Sequence, residues 1–274
     1  MPASSDQTYN YGVDSLAYTD AGEGPITILL IHGFGGDRNV WQHQINFLSK
    51  YYRVIAPNLP GVHCQPLPLH HSETPTLFNY VQVLHELMHH LDIDTYYIMG
   101  HSMGGYIGLA FADYYVNHVK GLGLIHSSAF EDSEAKKASR IKVAEFIETF
   151  GTRRYLETAV ANLYAKSFEK AHPAIIQDRI DAVSDLSPKA MIQFTMAMKN
   201  RKSYTALLSQ KRIPIWMIVG KEDLAIPFED SKAQLDLLPP ENVLVLDHVG
   251  HMGMLEAPDQ VNEAMHKFIQ QTIK

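Results

Sequence analysis

The sequence predicts an α/β fold: a mostly parallel sheet flanked by helices, with an all-helical insertion in its second half. Three observations point there. Short apolar runs rich in β-branched residues recur along the 274 residues. Such runs suit strands covered on both faces, as in parallel sheets. Helical periodicities alternate with them, the pattern of βα units. From about Phe130 to Lys211 the alternation stops, and only helical spacings are found.

Taken in order, Ile26-Thr27-Ile28-Leu29-Leu30-Ile31 is the first strand candidate and Val54-Ile55-Ala56 the second. Leu77, Val81, Leu84, Met88 and Leu91 then share one helical face. Tyr96-Tyr97-Ile98-Met99 reads as a short buried strand, and Tyr106 to Phe111 as a helix. The run Leu122-Gly123-Leu124-Ile125 precedes the strandless stretch. In that stretch Phe146, Phe150, Leu156, Val160, Leu163, Tyr164, Ile176, Ile180 and Val183 have helical spacings. Ser187-Pro188 reads as an N-cap followed by proline at the first helical position. Ile213 to Val219 and Val243 to Leu246 resume the strands, and Val261, Met265, Phe268 and Ile269 mark a last helix. The expected organisation is a core of 1–129 and 212–274 with a helical insertion at 130–211. Ligands of open α/β sheets bind at the carboxyl ends of strands. An insertion leaving from Ile125-His126 is therefore expected to cover that edge as a lid, with His126, Ser127 and Ser128 near the cleft floor.

Composition narrows the function. Apolar residues make up 46% and charged residues 19%, ordinary for a globular enzyme. The 23 basic and 30 acidic residues give a net charge of −7, which disfavours nucleic acid or an anionic membrane as partner. No apolar run approaches the length of a membrane span. The start, Met1-Pro2-Ala3-Ser4-Ser5-Asp6-Gln7, has neither a basic nor an apolar signal region, so no signal peptide is expected. With one cysteine, Cys64, no internal disulfide can form. These features together predict a cytoplasmic protein acting on a small molecule; its oligomeric state is left open.

The chemistry lies in Gly100-His101-Ser102-Met103-Gly104-Gly105. A serine at G-x-S-x-G spacing, on a sharp turn from strand to helix, is the nucleophile elbow of a serine hydrolase. Such a serine needs a base, usually histidine, and a carboxylate to fix that histidine's tautomer. In this architecture the chain order is Ser, acid, His. Asp223, in Val219-Gly220-Lys221-Glu222-Asp223, and His251, in Val249-Gly250-His251-Met252-Gly253, supply that order at two strand ends. Glu222 competes with Asp223, and His248 with His251; Glu229 and Asp230 suit the first turn of a following helix. The loop His32-Gly33-Phe34-Gly35-Gly36-Asp37 suits an oxyanion hole, built from the N–H groups of Phe34 and Met103. His32 and His101 are assigned to packing and local hydrogen bonding.

With these pieces in view, the chain resembles the α/β-hydrolase fold superfamily, in its single-domain branch with a helical cap. The resemblance rests on His32-Gly33-Phe34-Gly35, Gly100 to Gly105, Gly220 to Pro227 and Gly250 to Pro258. It implies an eight-stranded sheet with the cap inserted after the sixth strand, and is nearest to small carboxylesterases and enol-lactonases. Relatives often carry Asp-x-x-Gly-x-Gly-x-Ser after the fourth strand; here Asn58-Leu59-Pro60-Gly61-Val62-His63-Cys64-Gln65 stands instead.

The function expected is hydrolysis of a small carboxylic ester or lactone through an acyl-enzyme on Ser102, Asp223 and His251. Serine at the elbow argues against the dehalogenases and epoxide hydrolases of the fold, whose nucleophile there is aspartate. Carbon–carbon bond hydrolysis, perhydrolysis and acyl transfer use the same triad and stay open, as does a triad-bearing ligand receptor. His126, Met196 and Met198 are expected to contact substrate. His63, His70, His71, His89 and His90 form no ligand spacing, so neither metal nor cofactor is expected. Cys64 lacks any signature of a catalytic cysteine.

Overall fold

The computed structural model describes residues 4–11, 14–69 and 74–273; His70 and His71 therefore lie outside the described residues. Strands β1 (Ser4–Tyr11), β2 (Asp14–Ala21), β3 (Thr27–Ile31), β4 (Arg53–Pro57), β5 (Tyr96–His101), β6 (Val119–Ile125), β7 (Ile215–Gly220) and β8 (Val243–Leu246) form one sheet. Its order is β1-β2-β4-β3-β5-β6-β7-β8. All pairings from β4 to β8 are parallel, while β1 and β2 join antiparallel at one edge.

Every residue of β3, β5 and β7 is buried, as unbroken apolar runs require in a sheet covered on both faces. The covering helices are α1 (Gln42–Leu48), α2 (Leu77–His90) and α3 (Met103–Tyr114). On α2 the face of Leu77, Val81, Leu84 and Met88 is buried as its spacing predicts, and Leu91 caps its end. Between β6 and β7 the chain is helical: α4 (Glu134–Phe150), α5 (Thr152–Ala159), α6 (Lys166–Ala171), α7 (Pro173–Val183), α8 (Pro188–Lys199) and α9 (Thr205–Gln210). Helix α4 packs on α8. Ser187 caps α8, its hydroxyl accepting from the Ala190 N–H at 3.1 Å, with Pro188 at the first position. Two expectations in this stretch shift. Phe150 is exposed at the end of α4, and Tyr164 follows a short 3-10 turn rather than lying in a helix. Helices α10 (Phe228–Leu235), α11 (Gly253–Glu256) and α12 (Pro258–Thr272) complete the chain, with Val261, Met265, Phe268 and Ile269 inside. Among the described residues no helix is long and apolar enough to cross a membrane.

Strands β1 and β2 carry no continuous apolar run. Most of β1 is exposed, and it is held by an antiparallel ladder from Ser4↔Ala21 to Tyr11↔Asp14. Their strand character comes from pairing, which local periodicity does not report.

Candidate active site

Ser102 links β5 to α3 with φ 51° and ψ −116°. Such a backbone costs a non-glycine residue about 1–3 kcal/mol and persists only where the surroundings hold it. Here they do. The Ser102 N–H donates to the Ile125 carbonyl at 2.9 Å, and its own carbonyl accepts from the Ser127 hydroxyl at 2.8 Å. The flanking glycines permit the turn: a Cβ on Gly100 would strike the Gly104 backbone, and one on Gly104 the Ile31 carbonyl. The strand end Ile125 to Ser127 thus lies directly against the serine.

The loop after β3 closes in from the other side. A Cβ on Gly33 would meet Ser102 Cβ at 3.2 Å. His32 secures this loop. It is fully buried, its Nδ1–H donates to the Gly33 carbonyl at 2.8 Å, and its Nε2 accepts from the Leu59 N–H at 3.0 Å. Only the neutral imidazole makes both bonds; burial, chiefly, pushes its pKa down to about 4. Next in the chain, the Phe34 N–H and the Met103 N–H, in the orphan first turn of α3, donate to no other group among the described residues.

Asp223 and His251 meet from the loops after β7 and β8. The His251 Nδ1–H donates to Asp223 Oδ2 at 2.7 Å, with both side chains nearly inaccessible. The other carboxylate oxygen accepts the N–H groups of Ala225 and Ile226, each at 2.8 Å. Burial alone would raise the Asp223 pKa; His251 and His126 outweigh it and hold the carboxyl well below its usual range. The competitors separate cleanly. Glu222 and His248 pair with each other at 3.3 Å, and His248 is 87% exposed.

Two further histidines surround this pair. His101 donates from Nε2 to the His251 carbonyl at 2.9 Å, their rings 4.8 Å apart. Burial, followed by its two histidine neighbours, holds His101 well below the usual imidazole range. His126, with φ 46°, places Nδ1 3.5 Å from Asp223 Oδ2. It is buried behind the carboxylate, and burial lowers its pKa against the pull of Asp223.

A cavity of about 200 Å³ opens on this arrangement, lined by Ser102, His251 and Phe34. Two substrate-contact expectations need correction. Met198 lines the cavity, whereas Met196, two residues away on α8 and so on another face, does not. His126 is also absent from the wall, because Asp223 and the turn at Gly253 enclose it.

Several contributors were not legible in the sequence. Glu256 accepts from the N–H groups of Gly250, Met252 and Ala165 at 2.9–3.1 Å. Together with the His251 N–H, which donates to the Leu163 carbonyl at 2.7 Å, it ties the histidine loop to the helical segment. Lys136, Arg140 and Arg179 line the cavity from that segment. Cys64 accepts the Gly61 N–H at 3.3 Å and lies 4.0 Å from the Tyr11 hydroxyl. His89 and His90 are exposed on α2, and His63 lies 3.6 Å from Asp185. His126, Asp223 and His251 form a group with metal-ligating atoms within 4.8 Å of one another. The 2.7 Å bond within it and its closure by protein account for that proximity.

Comparison with known proteins agrees with this architecture. Residues 26–258 match the family profile described as alpha/beta hydrolase fold. The chain is 29% identical over 258 residues to a dihydrolipoyllysine-residue acetyltransferase component of the acetoin cleaving system of Pseudomonas putida. The match covers 90% of this chain but only 64% of that relative. It is 23% identical to a putative carbamate hydrolase of Acinetobacter baylyi, over 88% of this chain and 92% of that one. Among solved structures, a thermophilic esterase of Thermogutta terrifontis superposes with a TM-score of 0.88 at 29% identity, covering 100% of both chains. An enol-lactonase of Burkholderia xenovorans shares the fold at a TM-score of 0.84 and 18% identity, covering 96% of this chain and 100% of that one.

Proposed function

The chain belongs to the alpha/beta hydrolase family, and on that premise we propose that it is a serine hydrolase of small carboxylic esters or lactones. The observation that carries this is the buried 2.7 Å bond from His251 to Asp223, beside a cavity that also takes in Ser102. The likeness to the Thermogutta esterase over the full length of both chains supports the ester reading.

In the proposed reaction Ser102 Oγ attacks the carbonyl carbon while its proton passes to His251 Nε2. The Asp223 carboxylate holds the Nδ1–H tautomer and stabilises the imidazolium. The N–H groups of Phe34 and Met103 receive the charge on the carbonyl oxygen. His251 then returns the proton to the departing alkoxide, leaving the acyl group on Ser102. Water attacks that ester and gives its proton to His251, which delivers it to Ser102 Oγ as the acyl C–O bond breaks and the acid is released. The segment 130–211 serves as a cap that excludes polymers and sets acyl length through Met198. The single cysteine suits a cytoplasmic location.

Hydrolysis of p-nitrophenyl esters by the wild type and by Ser102→Ala tests the assignment. Loss of a triad member costs about 10⁴- to 10⁶-fold in kcat. Turnover by Ser102→Ala within tenfold of wild type would refute it. The likeness to putative carbamate hydrolases favours carbamate as a second bond type for the same triad, read by adding an aryl carbamate to the panel.

A further inference from the structure

The cavity above Ser102 carries more positive charge than its carboxylates balance. Lys136 and Arg140, one helical turn apart on α4, both line it. Arg140 reaches Asp132 through Nε at 3.1 Å, and Arg201 takes the other oxygen of Asp132 at 2.7 Å. Arg201 is otherwise engaged, with the Phe130 and Met198 carbonyls at 3.0 Å and the Tyr106 ring at 4.1 Å. The terminal nitrogens of Arg140 have no partner among the described residues. Lys136 has only the Ala225 carbonyl, at 3.4 Å, and no carboxylate within ion-pair distance among those residues. Asp132 is thus shared by Arg140 and Arg201, and Lys136 is left without a carboxylate partner among the described residues.

Other nearby acids do not offset the surplus. Glu134 is exposed and paired with Lys137, and Glu131 is exposed. Asp37 faces Arg179 at 3.4 Å, and Asp223 is occupied by His251. Lys136 is exposed along α4, and partial burial at the cavity, followed by the Arg140 cation, lowers its pKa against the pull of Asp132 and Asp223. Ala225 also lies two residues from Asp223, so the Lys136 ammonium on α4 reaches the loop that holds that carboxylate.

Resting on the hydrolase reading above, we propose that the substrate is an ester or lactone bearing a second, ionised carboxylate, which Lys136 and Arg140 bind while Ser102 attacks the carbonyl. A guanidinium with both terminal nitrogens free presents the fork that a carboxylate fits. A preformed cationic wall beside an apolar one selects by charge as well as by length.

The test compares the p-nitrophenyl hemiester of adipic acid with the neutral ester in which an isopropyl group replaces the free carboxylate. The hemiester is expected to show about tenfold higher kcat/KM, mostly through KM, the scale of one charge-assisted hydrogen bond. Raising the ionic strength should shrink that advantage. Combining Lys136→Gln with Arg140→Gln, which leaves Asp132 paired to Arg201, should bring the ratio of the two esters close to one. Should that variant fail to fold, inhibition of the wild type by adipate but not by adipamide reads the same point. Equal or poorer turnover of the hemiester, equal inhibition by the two compounds, or an unchanged ratio in the double variant would overturn the inference alone. A chain that a fluorophosphonate cannot label at Ser102 would instead remove the hydrolase reading, and the inference with it.

Discussion

Asp223 Oδ2 accepts the Nδ1–H of His251 at 2.7 Å, in a setting closed to solvent. Glu222, one residue earlier, turns outward to His248. Asp223→Asn should therefore lower kcat by about 10⁴-fold, because the amide favours the wrong tautomer and cannot stabilise the imidazolium. Glu222→Gln should stay within about threefold, since an exposed pair contributes little. Steady-state rates of the two variants decide between the acids, and a damaging Glu222→Gln beside a tolerated Asp223→Asn would reverse the assignment.

Acid should weaken the fold through His32. Its folded pKa of about 4 lies below the ordinary 6.5, so the unfolded chain takes up the proton first. Stability is then intact above about pH 6.5 and is lost as pH falls toward 4. At about 1.4 kcal/mol per unit, His32 alone accounts for roughly 3 kcal/mol. Urea unfolding at several pH values should show a shallower acid limb in His32→Gln than in the wild type. Superimposable limbs would mean that His32 is not the titrating group.

Met198 and Met196 offer a paired comparison. Met198→Ala enlarges the cavity and should move the preferred p-nitrophenyl ester to a longer acyl chain, with kcat on the best ester little changed. Met196→Ala, outside the cavity, should leave the chain-length profile where it was. A shift in the Met196 profile would show that the cavity wall differs in solution.

Glu256→Ala would strip three amides of their acceptor around His251. Each buried unpaired group costs about 1–3 kcal/mol, so both midpoint stability and kcat should fall, while binding of a neutral product analogue should change less. Normal kcat in a destabilised variant would limit Glu256 to the fold.

Much of this arrangement is legible in the sequence because it rests on local chemistry. The apolar runs of β3 to β8 and the glycines around Ser102 are set by residues near in the chain, and Asp223 and His251 are each marked by the short loop motif that follows a strand. What is not legible depends on contacts distant in the chain. Strands β1 and β2 are polar and become strands by pairing. His126 meets Asp223 across 97 positions of chain. Lys136 and Arg140 look like a solvated helix face until α4 lies over the cavity.

Every step of the proposed reaction depends on Ser102 as the nucleophile. Intact mass spectrometry after treatment with a fluorophosphonate, followed by peptide mapping, reads it directly. One adduct per chain is expected, on the peptide containing Ser102, formed far more slowly in His251→Ala and not at all in Ser102→Ala. An unmodified chain, or an adduct on any other residue, would contradict it.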